Sequence, residues 1–299
     1  MTDISRRSAL IGLGGGALAA AATAALPTTA QAALKPAPAH TGETIVVPTP
    51  GPAKFGLRFD CPEELAAYTR YDYLTAHQPL LIGHRGGYYP DGPWPESALE
   101  SMQNILATRG SVFVEMDMRM TKDGRCINMH DDTIDRETTG KGKMSTLEAY
   151  VLDQRLVNAQ GKTTQLRPRL VQDIFEWAKR VDAVLWVDIK DATPEYVVRQ
   201  IREYELESQV VLSAYGAKNV ARFRQLAPEC VYFIPTDPGS LPTVQSIKSA
   251  ARIGKVIGFA GWYLPDMRDS LTMQDDWNAP MQLEMNRYDH NLHNDELDG

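Results

Sequence analysis

The run "LLIGHRGGYYPDGPWPES" (residues 80–97) drives a short apolar stretch straight into His84-Arg85-Gly86-Gly87. A strand buried on both faces reads as a brief continuous apolar run. Such a strand has no use for an imidazole and a guanidinium at its tip unless chemistry happens there. The arrangement recurs downstream. "VFVEMDMR" (112–119) reads as a strand ending in Glu115 and Asp117. After a hairpin-like TKDG turn, "CINMH" (126–130) reads as a strand delivering His130 and Asp131. "AVLWVDIK" (183–190) finishes in Asp188 and Lys190. Helix-like stretches lie between at 96–110, 146–156 ("TLEAYVLDQRL"), 170–181 and 194–205, and the alternation continues to "VIGFAGW" (256–262).

Repeated strand–helix units with apolar strands predict an α/β fold, a parallel sheet clad in helices. The length suits a (β/α)8 TIM barrel, for which ~250 residues is usual. An open doubly wound sheet is the alternative, but no G-x-G-x-x-G turn follows a strand, which disfavours a dinucleotide site. In a barrel the C-terminal strand ends and the loops after them carry the active site. His84, Arg85, Glu115, Asp117, His130, Asp131, Asp188 and Lys190 are therefore expected at one mouth.

Residues two apart on a strand share a face, so Glu115 and Asp117 point together, as do Asp188 and Lys190. Three carboxylates converging in one cavity repel, and burying an unpaired charge is costly. A hard divalent cation, Ca²⁺ or Mg²⁺, resolves the conflict, because both take oxygen ligands. Plain ion pairing of Glu115 or Asp117 with Arg119, Lys122 or Lys190 is the simpler alternative. His84 and His130 suit general acid and base roles, since imidazole titrates near neutrality. Zinc ligation is the other reading of the two histidines, although no third histidine and no His-x-x-x-His spacing supports it. Tyr88, Tyr89, Trp94 and Trp262 offer aromatic surface to a substrate, or pack for folding alone.

The 299 residues are 43% apolar with a net charge of −7, enough for one large core and without the basic patch that nucleic acid requires. Cys61, Cys126 and Cys230 are too few and too scattered for a disulfide framework. Residues 1–32 run from Ser5-Arg6-Arg7 through an Ala- and Gly-rich stretch to Ala30-Gln31-Ala32. That is the build of an export signal with a small-residue cleavage site, and the arginine pair resembles a twin-arginine signal. The expected destination is the periplasm or the exterior, with no stable membrane span once the signal is removed. Residues 33–75 read as an arm plus a short helix, and 76–299 as the barrel domain.

The ordered motifs His84-Arg85-Gly86, Pro95-Glu96-Ser97, Glu115-Met116-Asp117, Thr121-Lys122-Asp123-Gly124, His130-Asp131, Thr138-Thr139-Gly140-Lys141-Gly142, Pro168-Arg169-Leu170 and Val187-Asp188-Ile189-Lys190 resemble the glycerophosphodiester phosphodiesterase family. The resemblance implies a barrel hydrolase acting on small phosphodiesters with a divalent metal. It implies His84 and His130 as the acid/base pair, and Glu115, Asp117 and Asp188 as metal ligands. It puts Arg85 and Lys190 on phosphate oxygens, with Glu96 lining the site beside His84 or the metal's surroundings. Trp262 is a candidate for the pocket wall. Ser97 stands where the family has Asn, and Asp188 where Glu is common. The family's closing strand is either missing here or supplied by "MQLEM" (281–285). A phospholipase D of the sphingomyelinase type and a non-catalytic phosphodiester-binding protein are the rival functions.

Overall fold

The computed structural model describes residues 39–53, 57–69, 81–88, 91–215, 217–235 and 256–260. The strands are β1 (Ile82–Gly83), β2 (Phe113–Met120), β3 (Cys126–Asn128), β4 (Leu185–Ile189), β5 (Val210–Ala214), β6 (Val231–Pro235) and β7 (Val256–Ala260). The helices are α1 (Pro62–Thr69), α2 (Leu99–Arg109), α3 (Val171–Val181), α4 (Pro194–Glu203) and α5 (Ala217–Leu226). Their local logic is visible in the sequence. Helix α4 starts with Pro194 behind a Thr193 cap, whose hydroxyl accepts from the Tyr196 amide at 3.3 Å; both residues suit a helix start. Helix α3 buries Val171, Ile174, Phe175 and Ala178, the i, i+3, i+4, i+7 stripe of a helix laid on a core.

The strands pair in the order β1-β2-β4-β5-β6-β7, every neighbouring pair parallel. Chain order is never reversed along this path. A doubly wound sheet reverses its strand order at a switch point, so the winding is that of a barrel. The two faces agree. Val114, Met116, Met118, Leu185, Val187, Leu212 and Tyr232 pack in the core with α2 to α5. The opposite face turns Ile82, Phe113, Val184, Trp186, Val211, Val231 and Phe233 into a second cluster. Helix α1 supplies Leu65 and Ala66 to that inner cluster, so the segment preceding the barrel plugs its floor.

The inner face changes character along each strand. Phe113 is followed at two-residue steps by Glu115, Asp117 and Arg119; Trp186 by Asp188; and Val211 by Ser213 and Tyr215. The N-terminal half of the barrel is thereby an apolar floor and the C-terminal half a polar mouth. Trp186 meets Phe233 edge to face, ring centroids 4.5 Å apart, directly beneath the acidic residues. Truncating either aromatic would cost ~3–5 kcal/mol.

Two expectations are corrected. The third strand is not a barrel strand: β3 runs antiparallel to the end of β2, pairing Met118 with Asn128 and Met120 with Cys126. The five residues 121–125 close a hairpin too short for the crossover that parallel strands need. The stretch 146–156 forms no α-helix; Met144–Thr146 and Ala149–Asp153 are short 3-10 turns. The backbone of that segment is tied to neighbouring loops instead, with Lys122 N on Leu147 O (2.8 Å), Thr139 N on Arg155 O (2.9 Å) and Leu156 N on Leu166 O (2.9 Å). The candidate closing strand at 281–285 lies outside the described residues. The arm expected at 33–75 is seen from residue 39 on. It lies along the 156–166 segment, with Thr41 N on Gly161 O (2.9 Å), Ile45 N on Thr163 O (2.8 Å) and Val47 N on Gln165 Oε1 (2.8 Å).

Candidate active site

Strand register assembles the acidic cluster. Asp117 and Asp188 are direct partners across β2 and β4, so both rise from the same face at the same height, with Glu115 one step below. Carboxylate oxygens of Glu115, Asp117 and Asp188 lie within 4.8 Å of one another, and all three residues are buried. The Lys190 ammonium stands 3.0 Å from Asp117 Oδ1 and 2.7 Å from Asp188 Oδ2. The Tyr215 hydroxyl donates to Asp188 Oδ2 at 3.1 Å. Lys190 meets Asp117 as an ion pair, and both Asp117 oxygens and Asp188 Oδ1 are buried without a hydrogen-bond partner among the described residues.

The electrostatics follow from this crowding. Burial, then the charges of Asp117 and Asp188, hold the Glu115 carboxyl well above its ordinary range. Burial also outweighs the nearby ammonium at Asp188 and raises it. At Asp117 burial pushes upward too, but Lys190 and the surrounding cations overcome it and the carboxyl stays low. Lys190 is pushed upward: burial opposes its charge and the two aspartates more than restore it. With all three carboxylates ionised, as a bound cation would favour, one ammonium leaves two negative charges at the mouth. Oxygens at these separations can share one cation bound at the ~2.0–2.6 Å usual for Mg²⁺ and Ca²⁺. The orphaned Asp117 and Asp188 oxygens are the groups such an ion would satisfy, and the donor set is all oxygen. The residues fit a hard divalent cation.

The "HRGG" turn is the second component. Residues His84–Gly86 form a 3-10 turn at the tip of β1, and Arg85 adopts φ 50° and ψ 40°, left-handed backbone that bulky side chains avoid. Strain of this kind concentrates at functional sites. The Arg85 amide donates to the Glu115 carboxylate, which holds the turn against the acidic cluster. Gly87 is required sterically: at φ +77°, an added Cβ would stand 2.6 Å from Ile105 Cβ of α2. His84 is partly exposed at the mouth. Burial of its ring, then the charge of Arg85, pull its pKa down to about 3, so it is neutral across the physiological range. The Tyr88 ring lies 6.4 Å from it, centroid to centroid.

His130 reaches the same mouth from the antiparallel hairpin. Its Nδ1 faces Asp131 Oδ1 at 2.8 Å and its Nε2 faces Arg85 Nη2 at 3.0 Å. Arginine only donates, so Nε2 accepts and the ring proton sits on Nδ1 toward Asp131. The contacts His130–Arg85–Glu115 join the imidazole to the acidic cluster, and His84, Arg85, Glu115, Asp117, His130, Asp131, Asp188 and Lys190 gather at one end of the sheet.

Several placements were not legible beforehand. Glu96 touches neither His84 nor the carboxylates; it takes Arg85 Nη1 at 2.6 Å and the Arg136 guanidinium. Trp94 does not line the mouth; it is buried with Val47, Ala98, Leu156 and Leu166. Tyr89 and Trp262 lie outside the described residues. Arg136, Glu137, Asn128 and Tyr215 went unread. Asn128 accepts from the Asp117 amide at 2.9 Å and donates to Ser97 O at 2.8 Å. Tyr215 continues the two-residue alternation of β5, the one signal that could have found it. Ser97 has φ 61° and its hydroxyl donates to Glu137 Oε2 at 2.8 Å. The family's Asn at this position is among the non-glycine residues that best tolerate such backbone.

Fold and site together define a barrel with a cluster of carboxylates that fits a divalent cation and two imidazoles at its C-terminal mouth. Residues 84–274 match the glycerophosphoryl diester phosphodiesterase family model, and the chain belongs to that family. It is 34% identical over 208 residues to probable glycerophosphodiester phosphodiesterase 1 of Mycobacterium tuberculosis, covering 61% of this chain and 72% of that protein. It is 27% identical over 157 residues to a glycerophosphodiester phosphodiesterase of Caldanaerobacter subterraneus, covering 50% of this chain and 63% of the relative. The chain thus spans less than two thirds of that relative's length. A glycerophosphoryl diester phosphodiesterase from Parabacteroides distasonis shares the fold with a TM-score of 0.59 at 23% identity, over 72% of this chain and 73% of its own.

Proposed function

We propose that this protein hydrolyses glycerophosphodiesters to an alcohol and glycerol phosphate with the aid of a divalent metal, Ca²⁺ or Mg²⁺. The single observation that carries the reading is the meeting of three buried carboxylates within 4.8 Å with two histidines and two basic side chains at one barrel mouth. Glu115, Asp117 and Asp188 would hold the ion, which when bound supplies Lewis-acid stabilisation of phosphate charge. Arg85 and Lys190 border that cluster and add positive charge where it develops. His84 and His130 serve as the acid/base pair; His84, neutral in the free protein, would carry a proton to donate only when an anionic phosphate beside it favours the charged ring. His130 offers the Nε2 lone pair that a base needs, with Asp131 behind it. Family membership supports the diester class, and the names of the relatives support a glycerol headgroup.

The test is turnover of glycerophosphocholine and of bis(p-nitrophenyl) phosphate, with lysophosphatidylcholine alongside. Hydrolysis of the first should need Ca²⁺ or Mg²⁺ and stop with chelator, and His84→Ala and His130→Ala should each cost ~10²–10⁴-fold. Turnover of the lysolipid alone would point to a phospholipase D, and no turnover of any diester to a binding protein. Near-full rates in both histidine variants would end the mechanism. No disulfide joins Cys61, Cys126 and Cys230, so the braced loop expected of the sphingomyelinase type has no support. Residues 1–32 would export the chain through a twin-arginine route to the periplasm or beyond. Blocked export of a 1–32 reporter fusion by Arg6→Lys with Arg7→Lys is the expected result.

A further inference from the structure

Behind His130 lies a group of charges that the proposed reaction does not by itself require. Arg136 Nε donates to Asp131 Oδ2 at 2.6 Å. Its other two nitrogens go to Glu96, one to Oε1 and one to Oε2 at 3.2 Å, and the latter also lies 3.3 Å from Glu137 Oε1. One guanidinium therefore touches three carboxylates. Two of these lead to the site. Asp131 Oδ1 takes the His130 Nδ1–H at 2.8 Å, and Glu96 Oε2 takes Arg85 Nη1 at 2.6 Å. The two branches meet where Arg85 Nη2 faces His130 Nε2 at 3.0 Å.

The result is a closed ring: Arg136, Asp131, His130, Arg85, Glu96 and back to Arg136. Glu137 anchors it from beneath. Its side chain is fully buried, and it accepts from Ser97 Oγ (2.8 Å), the Asp131 amide (2.8 Å) and the His130 amide (3.4 Å). His130, Asp131 and Glu137 could on distance alone hold a second cation, but the Arg136 guanidinium already supplies their positive charge. Charge-assisted, forked contacts fix geometry more firmly than single neutral hydrogen bonds, and a side chain is held best when its partners are themselves held.

We infer that Arg136 is a positioning residue: by clamping Asp131 and Glu96 together it holds His130 as the Nδ1–H tautomer with Nε2 aimed into the mouth, and it sets the Arg85 guanidinium beside it. Arg136 touches no residue of the acidic cluster and reaches the reacting atoms only through these partners. Without it, Asp131 and Glu96 lose their shared countercharge: the carboxylate behind His130 is free to turn away, Arg85 is no longer held through Glu96 against Nε2, and the ring proton can then move to Nε2.

This inference deepens the phosphodiesterase reading, and its test separates the two. Nitrogen-15 NMR of histidine-labelled full-length protein, with His130→Ala for assignment, reads the tautomer without any substrate. The wild type should show Nδ1–H at His130, and Arg136→Ala should convert it largely to Nε2–H. Kinetics with glycerophosphocholine and saturating Mg²⁺ or Ca²⁺ should show kcat down by ~10²-fold, within the range of a displaced acid/base group, with KM within about threefold. Added guanidinium should recover about tenfold of the loss. An Asp131→Asn, Arg136→Ala double variant should be no slower than Asp131→Asn alone within about threefold, because residues acting as one unit are not additive. If Arg136→Ala does not fold, Arg136→Lys keeps the charge but not the fork, and should fold and still lose at least about tenfold in kcat. An unchanged tautomer, a kcat within about threefold of wild type, or multiplicative losses in the double variant would overturn the role of Arg136. An inactive wild type would instead overturn the phosphodiesterase reading, and the NMR measurement would still decide this one.

Discussion

Replacing Lys190 by Met tests whether the mouth is built around a shortage of positive charge. The ammonium is 3.0 Å from Asp117 and 2.7 Å from Asp188, with side chains 13%, 1% and 12% exposed. At an effective dielectric near 20, each contact at about 3 Å is worth roughly 5 kcal/mol of Coulomb energy, much of it offset by desolvation. The relevant quantity is the loss of one partner from a buried pair, about 3–5 kcal/mol, since the stranded carboxylates keep their desolvation cost. For a domain of this size, each kcal/mol shifts Tm by about 2–4 °C, so the variant should melt roughly 6–20 °C lower in chelator. Saturating Mg²⁺ or Ca²⁺ should cut that loss to less than half, because an ion on Glu115, Asp117 and Asp188 replaces the missing charge. Urea unfolding followed by tryptophan fluorescence, with chelator and with ion, makes the measurement. Equal losses in both conditions, or a loss under about 1 kcal/mol as for an exposed pair, would refute the argument.

Further outcomes follow from the same geometry. Glu115 has its folded pKa raised, so between its unfolded value near 4.5 and the folded one the native state binds the extra proton; ion-free stability should fall as pH rises through that window, and Glu115→Gln should flatten the profile in a pH series of urea melts. Gly161→Ala places a Cβ 2.4 Å from Ala39 O at φ +79°; the arm should lift, and limited proteolysis should cut within 39–47 faster than in wild type. Gly87→Ala drives a methyl into Ile105 and should cost about 1–3 kcal/mol as overpacking, with a drop in kcat because the HRGG turn shifts. Ser97→Ala removes a buried donor from Glu137 and should cost ~1–3 kcal/mol by thermal melt.

Much of this molecule is readable from its order of residues alone. Apolar runs ending in charge mark the barrel strands, because a strand buried on both faces has only its tip for chemistry. Two-residue spacing places Glu115 with Asp117, since side chains alternate across a pleat. Periodicity is silent where contacts are long-range and side chain to side chain. It could not show that Trp94 faces inward under the arm rather than toward a substrate, or that the stretch 146–156 stops at 3-10 turns.

The strand register that sets Asp117 opposite Asp188 exists only once the sheet has formed. So does the position of Lys190 between them. Arg136 and Glu137 stand in a polar loop with no period, and only the folded chain brings Arg136 against Glu96 and Glu137 against Ser97, each forty residues earlier. Local sequence determined which segments are strand and which residue types reach their ends. The tertiary structure alone decided which charges face one another, because Coulomb and hydrogen-bond partners are chosen by distance in space and not along the chain.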